Sequence, residues 1–422
     1  MADQRIIFSE EMVGFNHPTK ADTLNRLSLI EHNSDGTHSK LTKVTDPWID
    51  VRAYGAVGDG VTDDTGAIQA ALNAVAFTGG RVYLPFGTYK VSSTLTISNS
   101  TELFGVGGNG SIISATSTAG YVITVNAGGC YLHDFQVTAS VAQTGGAHIF
   151  IAAAGSSSTI ERFYLTNYFI GILVQAVCCV RILNGQCRYG VSGTWTAGIV
   201  IDAGTDHYID HVTMDNVVGT QSESGIRVMA GDAILISFCD IIHHGTPLNI
   251  SPQLVQTVSS LYAVHSWFDS SNMRGMLLGG SGTIIRCKFS DCWFSSNLYQ
   301  GILVNNTGTI AGIDISNPHV FLNGGTGIQD DKTCDLKING GFIGQNTGDG
   351  IAIGANVNNF SIIGTRSGNG GGVSGNTLYG IKVYAGTSNN YIISLCDVRG
   401  NTGGAISDGG SGVNKIINNN MS

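Results

Sequence analysis

Gly171-Ile172-Leu173-Val174, Gly198-Ile199-Val200-Ile201, Gly225-Ile226-Arg227-Val228, Gly301-Ile302-Leu303-Val304, Gly350-Ile351-Ala352-Ile353 and Gly380-Ile381-Lys382-Val383 are one short pattern written six times. Looser copies begin at Thr246, Gly275, Gly327 and Gly404, so openings recur roughly every 25 residues. A repeat of that length built from short strands predicts a solenoid. Each opening alternates for only a few residues, with Ile199 and Ile201 inward and Val200 and Asp202 outward, which is strand periodicity. Gly, Asn, Ser and Thr fill the intervals, as turns require. With no helical half-repeat and no leucine-rich signature, the expected fold is an all-β parallel β-helix whose coils stack on one another.

A second column sets the register. Asn272, Asn297, Asn323, Asn346, Asn369 and Asn401 each follow the second strand of a coil, where stacked amides could bond up and down the solenoid. About three residues earlier stand apolar Phe294, Phe342 and Val398, and just before them Cys239, Cys292 and Cys396, read as small core residues. His244 takes the ladder position of its own coil.

The chain has 422 residues, 59 of them Gly, with 12% charged residues and a net charge of −9. That balance argues against a nucleic-acid partner, because the phosphate backbone selects basic surfaces. Nine cysteines without regular spacing suggest free, buried thiols and assembly in a reducing compartment. The first thirty residues carry Glu10, Glu11, Lys20 and Arg26 and show no signal peptide. No apolar run suits membrane insertion. No metal constellation and no nucleotide-binding glycine motif is present, so no cofactor is expected.

Three segments are expected: an arm over 1–46, a capping helix with the first strands over 47–100, and a β-helix body over 101–422. The stretch DVRAYGAVGDGVTDDTGAIQAAL (residues 50–72), followed by GGRVYLPFGTY (79–89), closely resembles the N-terminal signature of the pectate-lyase-like superfamily. That resemblance implies a right-handed parallel β-helix with a helix, here over 66–75, closing its N-terminal end. The superfamily includes bacteriophage tailspikes, and residues 21–38 resemble the segment that precedes the spike body in phage tail proteins. Asp59, Asp63 and Asp64 are read as helix-capping and turn residues.

Sugar-chain hydrolysis uses two carboxylates, about 5 Å apart for retention and about 6.5–9.5 Å for inversion. Outward positions on neighbouring coils lie about 4.8 Å apart, so acids on adjacent coils suit this chemistry. The candidates are Asp210, Asp215, Asp240, Asp269 and Asp291. Asp240, Phe268 and Trp293 are expected in one outward column, where the aromatic faces would take sugar rings. His243 and Arg227 complete the candidate binding residues, and the opposite sheet, with Asp202 and Asp331, ranks second. The polygalacturonase motif set of the superfamily is missing, and His243-His244-Gly245 only echoes it.

The resulting expectation is a tailspike-like protein that binds and cleaves a bacterial capsule or lipopolysaccharide. The resemblance further implies a homotrimer, assembled in host cytoplasm and attached to other tail proteins of the virion through the arm. The alternatives are a non-catalytic glycan-binding spike and a bacterial polysaccharide lyase or epimerase.

Overall fold

Ile172, Ile199, Ile226, Leu248, Met276, Ile302, Ile328, Ile351 and Ile381 are successive partners in one parallel ladder, and all are buried. The repeated opening is thus the core-facing strand of each coil, as its alternation predicted. The computed structural model describes residues 48–422 except 76–78, 189, 191–192, 217–221, 333 and 370–373. The arm over 1–46 lies outside the described residues. The chain winds as a right-handed parallel solenoid of about 13 turns. Its three sheets have 15, 13 and 13 strands. The openings form the third sheet of each coil.

The segment 207–216 forms two strands. Tyr208–Asp210 belongs to the first sheet and Thr213–Asp215 to the second. His211 turns the corner between them with φ 52°, and Phe238, His265, Asp291 and Asn317 repeat that left-handed conformation in later coils. Such φ values are uncommon outside glycine. Here the corner recurs coil after coil, and the two flanking ladders hold it in place.

The amide ladder exists, with two rungs reassigned. Asn297 Nδ2 donates to Asn323 Oδ1 at 2.8 Å, Asn323 to Asn346 at 2.9 Å, Asn346 to Asn376 at 2.9 Å and Asn376 to Asn401 at 3.0 Å. Asn376, not Asn369, is the rung, because the coil carries extra residues after Asn369. At the other end Asn297 Oδ1 accepts from Ser271 N, so Ser271 replaces the expected Asn272, which is exposed. His244 and Asn216 continue the column, both fully buried and 3.4 Å apart at Asn216 Nδ2 and His244 Nδ1. Burial drives the His244 imidazole down to about 3.

The ladder explains the opening glycines from Gly275 onward. A Cβ on Gly301 would lie 2.9 Å from Asn323 Nδ2 and 2.5 Å from Val320 Cγ1, and one on Gly350 would lie 2.6 Å from Asn376 Nδ2. The two sequence columns are therefore two sides of one contact. Cys239, Cys292 and Cys396 follow the left-handed corner as buried small residues, as expected, and burial pushes the first two thiols up to about 12.

At the N-terminal end, helix α1 (Thr65–Ala74) buries Ile68, Ala71 and Leu72. Asp63 Oδ1 accepts from Thr65 N at 3.1 Å, Asp64 accepts from Val57 N at 2.6 Å, and Asp59 accepts from Val61 N at 2.8 Å. These acids hold turns, as expected, but Asp64 stands at the N-cap of α1 without a side-chain cap bond, because its carboxylate is taken by Val57 N and Gly58 N. Val200 departs from its expected open position: it points outward yet is only 4% exposed. The loop after the Thr246–Ile250 strand folds back over this sheet, with Gln256 Nε2 3.4 Å from Asp202 Oδ1.

Replacing a rung should cost far more than replacing its exposed look-alike. Asn323→Ala orphans the amides of Asn297 and Asn346, at about 1–3 kcal/mol for each unpaired group. Asn369→Ala should stay within about 0.5 kcal/mol of the parent. Denaturant melts of both variants check this, and equal losses would refute the reassigned register.

Candidate functional site

The second sheet turns two outward columns to solvent. One reads Tyr164, Gln186, Thr213, Asp240, Trp267, Trp293, His319, Phe342 and Arg366. The other reads Thr166, Arg188, Asp215, Ile242, Asp269, Ser295 and Phe321. Met214, Ile241, Phe268 and Phe294 lie between the columns and fill the core.

Asp240 occupies the first column. Asp215 lies diagonally across on the preceding coil and Asp269 diagonally across on the following one. Strand geometry sets each diagonal at about 8 Å between Cα atoms. Asp240 is half-buried. Burial, then the charges of Asp269 and Asp215, raise its carboxyl above the ordinary value. Asp215 Oδ1 lies 2.9 Å from His243 Nδ1, and Asp269 Oδ1 accepts from Ser270 Oγ at 3.0 Å.

On the C-terminal side of the acids stands an aromatic platform. Trp267 and Trp293 have centroids 5.9 Å apart, His319 stacks on Trp293 at 5.0 Å, and Phe321 meets Trp293 edge-on at 5.5 Å. Trp267 is 51% exposed and Trp293 38%. On the N-terminal side, Tyr164, Gln186, Arg188, Arg162, Asn184 and the Gly108-Asn109 turn line an open depression of about 460 Å³. Arg162 is tied to Asp134 and Glu161, each at 2.7 Å. Arg188 makes no ion pair with the described residues, and its buried Nε has no hydrogen-bond partner among them.

Asp215, Asp240, Asp269, His243 and Trp293 therefore share one face, and four other candidates do not. Phe268 is fully buried, stacked on Phe294 at 5.2 Å. Its expected outward place belongs to Trp267, because counting from Asn272 instead of Ser271 shifts the strand by one residue, and one residue reverses the side. Asp210 lies in the first sheet, across the His211 corner, where Ser237 Oγ donates to it at 2.6 Å. Asp291 sits at the corner itself, held below the usual carboxylate range by Ser290 and Asn317. Arg227 is on the third sheet, 3% exposed and ion-paired with Glu223, so it cannot reach this face. Reasoning from sequence missed Trp267 and Arg188. Alignment on Ser271 would have exposed the first. The second stands two residues before Gly190, whose N–H donates to the ladder residue Asn216. Among the described residues no three or more His, Cys, Asp or Glu side chains are grouped to hold a metal ion.

A family model described as rhamnogalacturonase A/epimerase, pectate lyase-like, matches residues 48–292. Mannuronan C5-epimerase AlgE2 of Azotobacter vinelandii is 49% identical over 65 residues, 14% of this chain and 6% of that protein. The pre-neck appendage protein of Bacillus phage phi29 is 32% identical over 105 residues, 25% of this chain and 10% of that protein. The chain thus spans no more than a tenth of either relative. Tailspike protein 3 of bacteriophage CBA120 has the same fold, with TM-score 0.52, 13% identity, and 90% of this chain and 62% of that chain covered.

The raised Asp240 carboxyl has a consequence for stability. A carboxyl whose folded value is raised favours the fold below its unfolded value, and that benefit is lost as pH rises through the folded value. Ionised Asp240 therefore works against the fold at neutral pH. Asp240→Asn should raise Tm at pH 7, with the gain vanishing below about pH 4. Asp134→Asn, which breaks a pair with Arg162, should lower Tm at pH 7. Melting curves across pH check both signs.

Proposed function

Because the chain belongs to the rhamnogalacturonase A/epimerase, pectate lyase-like family, we propose that it acts on a polysaccharide laid along the second-sheet face, as a phage tailspike-like depolymerase of a bacterial surface glycan. The observation that carries this reading is the raised Asp240 carboxyl between two acids and beside a tryptophan platform. Protonated Asp240 gives its proton to the glycosidic oxygen as the C–O bond breaks. Asp215, positioned by His243, or Asp269 takes a proton from the water that adds to the anomeric carbon. An inverting course, which needs about 6.5–9.5 Å between the carboxyl groups to seat that water, is the form proposed. Sugar rings pack their C–H faces on Trp267 and Trp293.

The phage setting draws on the appendage-protein match and on the tailspike fold. With it go a virion tail location, a homotrimer, and attachment through residues 1–46. A second reading is elimination or epimerisation at a uronate. Arg188 favours it, because it stands one coil from Asp215 in the same column and could neutralise a substrate carboxylate.

Incubation with host capsule or lipopolysaccharide should release new reducing ends without 4,5-unsaturated uronate absorbance. Unsaturated products would establish the second reading instead. Asp240→Asn should lower turnover by about 10²–10⁴-fold with little change in polymer binding. Trp267→Ala and Trp293→Ala should each weaken binding by about 1 kcal/mol. Normal turnover in Asp215→Asn, Asp240→Asn and Asp269→Asn alike would remove the acids from the chemistry.

Deleting residues 1–46 should leave a folded, β-rich body with its glycan activity, since the family match and the first strand both begin beyond it. Circular dichroism and the same assay test this, and aggregation of the shortened chain would place the arm in the core.

A further inference from the structure

The charge pattern of the second-sheet face limits what can lie on it. Among the described outward positions from Tyr164 to Arg366, two are arginines, Arg188 and Arg366. Arg366 is turned to Asp397 at 3.5 Å. His319 is held toward its neutral form by burial. Arg188 is left as the one arginine of this face without a carboxylate, its Nε buried and without a partner among the described residues. It opens into the depression lined by Tyr164, Gln186 and Asn184, whose hydroxyl and amides suit sugar hydroxyls. Further along come Asp215, Asp240 and Asp269, then Trp267, Trp293 and Phe321.

We propose that the depression at Arg188 is a subsite for a sugar carboxylate, and that the groove takes a heteropolysaccharide with one acidic residue set among neutral ones. This rests on the reading of this face as a glycan groove. A planar guanidinium can bind a carboxylate through two parallel hydrogen bonds, here from its two terminal nitrogens, since Nε is buried. A homopolyuronate would carry a carboxylate on every ring. Its charges would then fall over Asp215, Asp240 and Asp269, with no arginine or lysine at the outward positions of those three strands to offset them. Neutral rings avoid that repulsion and suit the tryptophans. Arg188 stands two coils from Asp240, about 10 Å along the axis, a span of one or two sugar units. The acidic residue therefore sits a fixed distance to one side of the bond at Asp240, and cleavage falls once per repeat.

The test needs no host glycan. The full chain is titrated, by ligand-observed NMR and crystal soaking, with methyl glycosides of glucuronic and galacturonic acid and of glucose and galactose. At least one acidic glycoside should bind at Arg188 about tenfold more tightly than its neutral counterpart, and Arg188→Gln should erase the difference. Equal binding of acidic and neutral glycosides by the unmutated protein, or discrimination that survives in Arg188→Gln, would overturn the subsite. Any polymer the protein cleaves is then compared with its carboxyl-reduced form. Undiminished cleavage of the reduced form would strike out the subsite and leave the depolymerase reading standing. Acid-specific binding at Arg188 with no product from any polymer would do the reverse. Polygalacturonate as the preferred substrate would overturn the heteropolysaccharide assignment.

Discussion

The contact between an opening glycine and the ladder amide of the next coil is the constraint on which the coils from Gly275 onward depend. Asn297, Asn323, Asn346, Asn376 and Asn401 stack at the corner between second and third sheets, each amide both donating and accepting. A buried amide left unpaired is costly, so every rung needs the next. The corner is tight enough that the facing residue has no room for a Cβ. Two columns that look unrelated in sequence, glycine and asparagine, are thereby locked one coil apart. This register decides which residues of the second strand face in and which face out. Where the ladder changes chemistry, at Ser271 and His244, before returning to an amide at Asn216, the same corner is kept, and the candidate acids stand on those three coils.

Much of the architecture was legible because period-two alternation is a direct image of burial. Ile199 and Ile201 are buried and Asp240 points out, as read from the chain. What alternation does not reveal is a corner. His211 can be counted as one more step along a strand, but its left-handed backbone sends Asp210 and Asp215 to different sheets. The candidate acids were therefore found as a set, while their grouping depended on the bend. The Phe268 and Trp267 exchange has a different origin. A ladder of asparagines invites the nearest asparagine, and the true rung is the serine beside it. Since any hydroxyl or amide that reaches its neighbour can serve, residue type alone does not fix the rung.

The outward faces of the second and third sheets now have different characters. On the third sheet, Val200, Arg227 and Asn249 are nearly closed to solvent, and Arg227 is matched by Glu223. Asn249 Nδ2 also donates to Ser224 Oγ at 3.1 Å, the kind of pairing a packed layer uses. On the second sheet, two tryptophans are exposed beside acids that have no cation within salt-bridge distance among the described residues, apart from the His243 contact to Asp215. Large aromatic rings left in water beside unneutralised carboxylates bring no stability to the chain by themselves, so their retention is more readily understood as a surface shaped for something else.

The carboxylates of the chain make the same division. Glu102, Asp134, Glu161, Asp291 and Asp397 are all shifted down, because arginine, tyrosine, serine or asparagine groups donate to them. Those are acids in structural service, stabilised as anions where they stand. Asp240 alone, among the described carboxylates with a resolved shift, moves up, with burial as the main cause and two like charges behind it. A proton held more tightly than in water is what a general acid needs and what a structural acid avoids. The environment that raises Asp240 is made by the same register that makes the fold: Cys239 and Ile241 point inward on either side of it, so its carboxyl is fixed on the outer face, half-buried between Asp215 and Asp269. The fold thus places the proposed proton donor without any dedicated loop, by stacking three acids on a sheet whose rungs are set from the adjoining corner.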